Sequence, residues 1–494
     1  MAAAAGGEQP PGAPPANPAL IEALREAVGA ESCLSRPEDL LVYEADGLTV
    51  HGALPAAVVL PGDKTEVARV IRVCRAHGVP FVPRGAGTGL SGGAIALEGG
   101  VVIECSRMKR ILRVDPENRI AVVEPGVVNA DLSKAVAPHG LFYAPDPSSQ
   151  LACTLGGNVA ENSGGPHTLK YGTTTQHVLA LELVLPDGTI ARLGSPTGFA
   201  PASDLVGAVV GSEGTLGVVT EITVRLAPLP ERAETLLGIF PDVVSACRAV
   251  GAIIASGLVP AALEIVDRRT IAAVEASVYA AGLPTDAGAV LLVELDGPAV
   301  AVAAQVERVR GNALEAGASE VAVARDDAER ARFWRARKGA FGAMGRLAPD
   351  LYVHDAVVPR SKLPEILERV CEIGDRHGLR LSNVFHAGDG NLHPNISFDR
   401  RDADERARVV AAGEEILRVC IEAGGVISGE HGIGTEKRAY LPILFSDEDL
   451  GAMCRLRAAF DPEGVCNPGK IFPTTRFCME ANPKARGYDR VEFS

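Results

Sequence analysis

The chain has 494 residues, 47% of them hydrophobic and 22% charged, and a formal net charge of −14. That length exceeds what one hydrophobic core can organise, so two or three domains are expected. The acidic balance argues against a nucleic-acid binder, which needs a basic face; it leaves an anionic small substrate open, because the local field of a site can oppose the global sign. No run of about eighteen uninterrupted apolar residues is present, so no membrane span is expected. Ten cysteines are scattered without a C-x-x-C pair. This argues against a redox dithiol or an iron–sulfur cluster in the chain, and for buried thiols in a reducing compartment.

Residues 1–18, mostly Ala, Pro and Gly, read as a disordered extension. They have neither the basic start and apolar core of a secretory signal nor the arginines of a mitochondrial presequence. Ile21–Val28 has helical spacing, and Ala56–Leu60 is a strand stopped by Pro61. Thr65–His77 is an amphipathic helix with Val67, Val70, Ile71 and Cys74 on one face. Asp63 or Thr65 caps its front and Gly78 ends it. Val79–Pro83 is a short strand entering the glycine-rich block Arg84-Gly-Ala-Gly-Thr-Gly-Leu-Ser-Gly-Gly93. Val101–Glu104 and Ile120–Glu124 are strands, and Asn129–Ala137 is a helix. Val178–Leu185 is a strand closed by the turn Pro186-Asp-Gly188, and Leu216–Leu226 is another strand. Pro228–Pro230 ends a mixed first domain, 19–230. Longer helical patterns follow at Val243–Ser256, Ala299–Ala316, Asp326–Leu347, Leu363–His377 and Glu405–Ala423. They are separated by β-like runs at Ala289–Leu295, Leu351–Val358 and Leu379–Phe385, so residues 231–430 read as a second, α+β domain. A C-terminal segment, 431–473, includes the turn-rich closing loop 461–473. The tail 474–494 has no assignment, and no internal repeat is found.

Gly87-Thr-Gly-Leu-Ser-Gly92 matches G-x-G-x-x-G. A dinucleotide fold needs a long helix directly after it; here only Ala94–Glu98 intervenes before Gly99-Gly100. A loop whose backbone N–H groups nest around a diphosphate fits better. Two further blocks, Thr154-Leu-Gly-Gly-Asn-Val-Ala-Glu-Asn-Ser-Gly-Gly165 and Gly211-Ser-Glu-Gly-Thr-Leu-Gly217, also let backbone approach a large flat ligand. A ligand long enough to need all three is FAD. Far downstream, His386-Ala-Gly-Asp-Gly-Asn-Leu-His393 and Ser428-Gly-Glu430-His431-Gly bring two imidazoles and a Glu-His pair into glycine-bounded turns. Such histidines are often only hydrogen-bonding loop residues. Two imidazoles and one carboxylate also suit a divalent metal with open positions, which leaves the neighbouring histidine free to move a proton.

The joint, ordered occurrence of Pro83–Gly93, Pro145-Asp-Pro-Ser-Ser149, Gly156–Gly165, Gly211–Gly217, His386–Asn395, Ser428–Lys437 and Asn467-Pro-Gly-Lys470 resembles the FAD-linked 2-hydroxy-acid oxidases of the vanillyl-alcohol oxidase type. The likeness runs from about Tyr43 to Pro473. Phe333-Trp-Arg-Ala-Arg-Lys338 and Cys466–Lys470 look like the glycolate oxidase branch; D-lactate and D-2-hydroxyglutarate dehydrogenases are its cousins. The implied fold is α+β, with a two-part FAD-binding domain, a substrate (cap) domain and a C-terminal segment returning to the flavin. The resemblance implies that Arg84, Gly85, Ala86, Gly87, Thr88, Gly89, Leu90, Ser91 and Gly92 hold the FAD pyrophosphate. Pro145, Asp146, Pro147, Ser148, Ser149, Thr154, Gly157, Asn158, Asn162 and Gly164 would line the flavin and ribityl chain. Glu213, Gly214, Gly217, Val218 and Ile222 would surround the adenine half, and Asn467 joins the cofactor set. Some relatives attach FAD through a histidine of the first loop; 84–93 contains none, so attachment here is expected to be non-covalent.

The family also carries zinc or a similar ion, which makes His386, His393 and Glu430 the expected ligands, with Asn395 beside them holding substrate. On this reading the metal stabilises the alkoxide of a chelated 2-hydroxy acid. His431 removes the hydroxyl proton, and hydride passes to the flavin. The match at Trp334–Lys338 makes Arg337 the clamp on the substrate carboxylate. Relatives that use hydroxyglutarate have polar residues where Phe341 and Val353 stand, so a small monocarboxylate is expected: glycolate, or alternatively D-lactate. A non-catalytic flavin-binding subunit would lack the metal ligands, and a metal hydrolase would leave three glycine blocks unexplained. Resemblance further implies a flavin-type and an iron–sulfur partner subunit, and a location in the cytoplasm or at the inner face of its membrane.

Overall fold

The computed structural model describes residues 17–48, 51–199 and 202–473. Residues 1–16 of the expected extension and the tail 474–494 lie outside the described residues. Asn17 and Pro18 do not belong to an extension. The Asn17 side chain accepts the Ala19 N–H and caps the helix Pro18–Val28, and proline in the first turn costs nothing because its N–H would be unpaired there anyway.

A four-stranded and a five-stranded sheet, with a two-stranded pair of Leu141–Phe142 and Ala227–Pro228, form the first part of the molecule. The four-stranded sheet has the order Cys33–Leu34, Ala57–Val59, Val101–Glu104, Phe81–Arg84. Its last three strands run parallel. The helix Lys64–Ala76 is the crossover between two of them, and Asp63 caps it by accepting the Thr65 and Glu66 N–H groups. The five-stranded sheet is antiparallel, in the order Ile111–Asp115, Ile120–Val123, Val218–Arg225, Val178–Val184, Ile190–Gly194. The glycine block Thr154–Gly165 holds a helix, Leu155–Glu161, which the sequence reading left without an element. Thr154 caps it, and Asn162 ends it in the left-handed region at φ 54°. Two glycines at its start weaken the helical signal, and the cap supplies what composition does not.

The second part is a nine-stranded sheet whose central run is Glu320–Val323, Arg232–Phe240, Ala289–Gly297, Ala262–Asp267, Arg380–His386. The strands Arg232–Phe240 and Ala262–Asp267 escaped the sequence reading. Both are covered on both faces, so their polar–apolar alternation is weak. Leu236, Leu263, Ile265, Leu291, Val293 and Phe385 point to one core, beneath the helices Val243–Ala255, Ala299–Glu315, Leu363–Arg376 and Ala403–Glu422. Leu237, Val266, Val290, Leu292 and Val384 point the other way, to a core that includes Phe333, Ala336 and Ala340 of the helix Asp327–Met344. The period of two puts Thr235, Glu264, Glu294 and His386 on this second face. The expected strand Leu351–Val358 is two, Asp350–Val353 and Ala356–Val357, broken at His354–Asp355.

After the helix Ala403–Glu422 the chain turns back to the first part. Phe81 N–H donates to the Val465 carbonyl, and Asn467 N–H donates to the Phe81 carbonyl. The closing loop thus lies as an extra parallel bridge beside the strand that leads into the first glycine block. Of the described cysteines, eight are free thiols, all but Cys371 buried, and Cys454 is disulfide-bonded.

The two parts are also fastened by charge. His167 Nδ1 lies 2.9 Å from Asp146 and its Nε2 3.2 Å from Glu294. Lys338 reaches Asp146 at 3.1 Å, while Thr235, Arg330 and Trp334 donate to Glu294. Burial opposes a charge on His167, but the two carboxylates outweigh it and raise its pKa to about 10. Against the same burial, Asp146 and Glu294 are each lowered to about 2. The carboxylate contributions are therefore present above the ordinary carboxylate range and lost as pH falls through about 2. The His167 contribution is complete below its ordinary value and lost as pH rises through about 10. His167→Gln is expected to destabilise by about 3 kcal/mol near pH 6. In denaturant unfolding that difference should shrink steadily toward pH 10; a difference independent of pH would reject the charged imidazole.

Candidate active site

A cavity of about 570 Å³ lies where the two parts meet, and its walls come from both. Gly85 to Leu90 supply one wall, Pro147 to Ser149 with Thr154, Gly157 and Asn158 a second, and Glu213 and Gly214 a third. The far end is closed by Arg337, His386, His393, Asn395, Glu430 and His431. Arg84, Gly217 and Val218 line a smaller neighbouring pocket of about 50 Å³, together with Gly85, Gly157 and Gly214. The glycine wall fits a large polar ligand. The Asn158 Nδ2 atom on this lining is buried without a partner, and such an atom is costly unless something meets it. A side chain at Gly85 would strike Thr154, so only glycine keeps the loop that close.

The remaining expected cofactor residues act on the walls rather than in the cavity. Arg84 folds back to donate to the Ala45 and Ala94 carbonyls. The Ser91 carbonyl accepts the Thr435 and Glu436 N–H groups, and the Gly92 carbonyl accepts Lys470 Nζ at 2.8 Å. The Pro145 carbonyl accepts from Asn129, and Asp146 is held by His167 and Lys338. The Asn162 side chain accepts the Thr175 N–H. Gly164 packs against Glu430. Asn467 donates to the Gly93 and Glu213 carbonyls. Ile222 does not reach the cavity: it is fully buried in the antiparallel-sheet core with Val123 and Leu181.

At the far end, His386 stands last in the strand Arg380–His386, and His393 follows the short strand Asn391–Leu392. Glu430 Oε1 lies 3.1 Å from His386 Nε2 and 3.2 Å from His393 Nε2. Each imidazole has its Nδ1 engaged elsewhere, His386 with Glu264 and His393 with the His354 carbonyl at 3.1 Å. If each Nδ1 carries the proton, both Nε2 lone pairs face Glu430. Three convergent ligand atoms of this kind are the donor set a divalent cation takes. Burial works against charging either partner, yet Glu264 and Glu430 hold His386 well above the usual imidazole range, and the histidines hold Glu430 well below the usual carboxylate range.

His431 stacks on His393 with ring centres 4.9 Å apart. Its Nδ1 is buried without a partner. Burial, aided by His393 and Lys437 and opposed by Asp355, lowers its pKa to about 4, so the ring is a free base at neutral pH. Arg337 is 7% exposed and its Nε has no partner.

Two carboxylates that organise this end were missed in the sequence. Asp355 is fully buried and accepts from Ser428 Oγ and from the Gly429, Glu430 and His431 N–H groups, with Lys437 Nζ at 3.4 Å. It shapes the turn that carries Glu430 and His431. Its only trace in the sequence is the His-Asp pair interrupting an apolar run. Glu264, also fully buried, touches both His386 and Arg337; its trace is one acidic residue inside Leu263-Glu-Ile-Val. Glu161 and Tyr279 also line the cavity and carried no separate signal.

Residues 55–194 match the FAD binding domain family, and residues 229–471 match the family of FAD linked oxidases, C-terminal domain. Glycolate oxidase subunit GlcD of Escherichia coli is 48% identical over 461 residues, covering 93% of this chain and 92% of that one. The Bacillus subtilis subunit of the same name is 42% identical, covering 91% and 96%. A D-lactate dehydrogenase of Anaerostipes hadrus is 34% identical, covering 92% and 97%. Among solved structures, p-cresol methylhydroxylase superposes with a TM-score of 0.79 at 18% identity, covering 92% of this chain and 96% of that one. The 4-ethylphenol oxidase of Gulosibacter chungangensis superposes with 0.77 at 20%, covering 92% and 97%. These neighbours share the vanillyl-alcohol oxidase type of fold expected from the sequence. With both halves of its cavity accounted for, the chain belongs to the FAD-linked oxidases: it is a flavin-dependent oxidoreductase.

Proposed function

We propose that the protein oxidises glycolate to glyoxylate as the catalytic subunit of a glycolate oxidase or dehydrogenase. The observation that carries this reading is the convergence of His386, His393, Glu430, His431 and Arg337 at one end of the cavity whose other walls are the glycine blocks. When bound, FAD supplies a two-electron acceptor, and a divalent cation, zinc in this reading, supplies Lewis acidity toward the substrate oxygen. The residues do the rest. His386, His393 and Glu430 hold the cation. Arg337, with its Nε donor open, grips the substrate carboxylate. Asn395 holds the substrate beside the cation ligands, and His431 takes the hydroxyl proton on its neutral ring. Phe341, Val353 and Val384 line the same cavity with apolar surface, which suits a small acid without a second carboxylate.

FAD attachment is non-covalent in this reading, because the loop 84–93 has no histidine. Electrons leave through other subunits, of flavin and iron–sulfur type, since the cysteine spacing offers no cluster. No helix among the described residues is long and apolar enough to cross a membrane, so a place at the inner face of the membrane would come through those partners, and otherwise the protein is cytoplasmic. D-lactate oxidation is the second reading, favoured by the likeness to the Anaerostipes hadrus dehydrogenase.

Anaerobic mixing with glycolate, D-lactate, L-lactate and D-2-hydroxyglutarate, followed by flavin absorbance near about 450 nm, tests the reading. Glycolate should bleach the flavin fastest; faster bleaching by D-lactate moves the assignment to the second reading, and no bleaching by any of the four rejects both. Removing the cation with a chelator should abolish bleaching while the yellow colour stays. His431→Ala should keep FAD and slow bleaching about 10²–10⁴-fold; full-speed bleaching excludes it as the base. Arg337→Met should raise the glycolate concentration for half-maximal bleaching by about 10–100-fold, and an unchanged requirement excludes the clamp.

A further inference from the structure

We propose that Glu264 is a positioning residue that joins the cation ligand His386 and the anion clamp Arg337 into one unit, so that affinity for the cation and for the substrate carboxylate depend on the same buried carboxylate. The inference rests on the reading of His386 as a ligand given above. Glu264 and His386 are direct cross-strand partners in the antiparallel pairing of Ala262–Asp267 with Arg380–His386. Strand alternation sends both side chains away from the core that takes Leu263, Ile265 and Phe385, toward the helix that carries Arg337.

Glu264 is wholly shielded from solvent. Its Oε1 and Oε2 lie 2.8 and 2.9 Å from His386 Nδ1, and Oε2 lies 2.5 Å from an Arg337 Nη atom. The same Arg337 nitrogen is 3.4 Å from His386 Nδ1. A buried carboxylate is tolerated only when its oxygens are met by donors, and here the donors are the two groups that would face ligands. By accepting from Nδ1–H, Glu264 selects the tautomer that presents Nε2 toward Glu430 and makes that nitrogen more basic. By accepting from one Nη, it fixes the guanidinium plane while Nε stays open. A carboxylate that touches neither ligand thus orients the residues that bind both.

The test uses the full-length flavoprotein and two probes, Zn²⁺ and glycolate. Zn²⁺ affinity is measured by competition with a chromophoric chelator, and glycolate affinity by perturbation of the oxidised flavin spectrum with Zn²⁺ saturating. In Glu264→Gln, Zn²⁺ binding should weaken by about 10–100-fold and glycolate binding should weaken as well, while the flavin spectrum and content stay those of the wild type. Glu264→Asp, which keeps the charge at a shorter reach, should fall between the two, and carries the test if the glutamine variant does not fold. Glu294→Gln removes a different buried carboxylate from the same sheet face and should leave Zn²⁺ affinity unchanged. Wild-type Zn²⁺ affinity in the Glu264 variants, or an equal loss in Glu294→Gln, overturns the inference while the cation site stands. A wild-type protein that binds no Zn²⁺ overturns the site reading itself, and the inference with it.

Discussion

Most of what this molecule can do depends on how residues 433–471 grip the first glycine block. Glu213 accepts the Ile433 and Gly434 N–H groups at 2.6 and 2.7 Å. The Ser91 carbonyl accepts two more N–H groups from the same segment, and Lys470 donates to the Gly92 and Ile95 carbonyls. Gly434 has a φ of +51°, and a side chain there would collide with the Ser91 carbonyl. This seam fixes the distance between the cofactor wall and His431, two residues before Ile433. It is built from buried polar groups. Burial raises the Glu213 carboxyl and lowers the Lys470 ammonium from their ordinary ranges.

The nine-stranded sheet solves a different problem with the same means. A sheet covered by helices on both faces has no solvent in which to place a charge, yet four polar or charged side chains, at 235, 264, 294 and 386, stand on one of its faces. Each is met by a partner: Glu264 by His386 and Arg337, Glu294 by Thr235, Trp334, Arg330 and His167. The buried charges therefore fasten the helix Asp327–Met344 and the first part of the molecule to the sheet. Apolar packing alone would fasten them without fixing the angle of a guanidinium or an imidazole.

Much of this was legible in the sequence. The glycine blocks, the His386–His393 and Glu430–His431 turns and the helix Lys64–Ala76 carry local signals, because tight backbone approach and capping require particular residue types at particular spacings. Of the two residues that could cap that helix, Asp63 does so, because its side chain is the one that meets the Thr65 and Glu66 N–H groups. The strand Ala262–Asp267 was not legible, since an apolar run covered on both sides has no period to read. Nor was the meaning of Glu264 or Asp355, whose partners lie 122 and 73 positions away. A lone acid in an apolar run announces that it must be paired, but not with what. Arg84 and Asn162 stand in the cofactor motifs, and their side chains bond within the protein: Arg84 to the Ala45 and Ala94 carbonyls, Asn162 to the Thr173 hydroxyl and the Thr175 N–H.

The grip of the later segment on the earlier one also sets an order of assembly. The N–H groups that Glu213 receives come from 220 positions downstream, and the Gly93 carbonyl is met by a side chain 374 positions away. A nascent chain can form the parallel and antiparallel sheets of the first part early, as domains commonly do during synthesis. Its nest for the dinucleotide stays open on one side until almost the whole polypeptide has left the ribosome. The wall at the first glycine block is thus completed by residues from the far end of the chain.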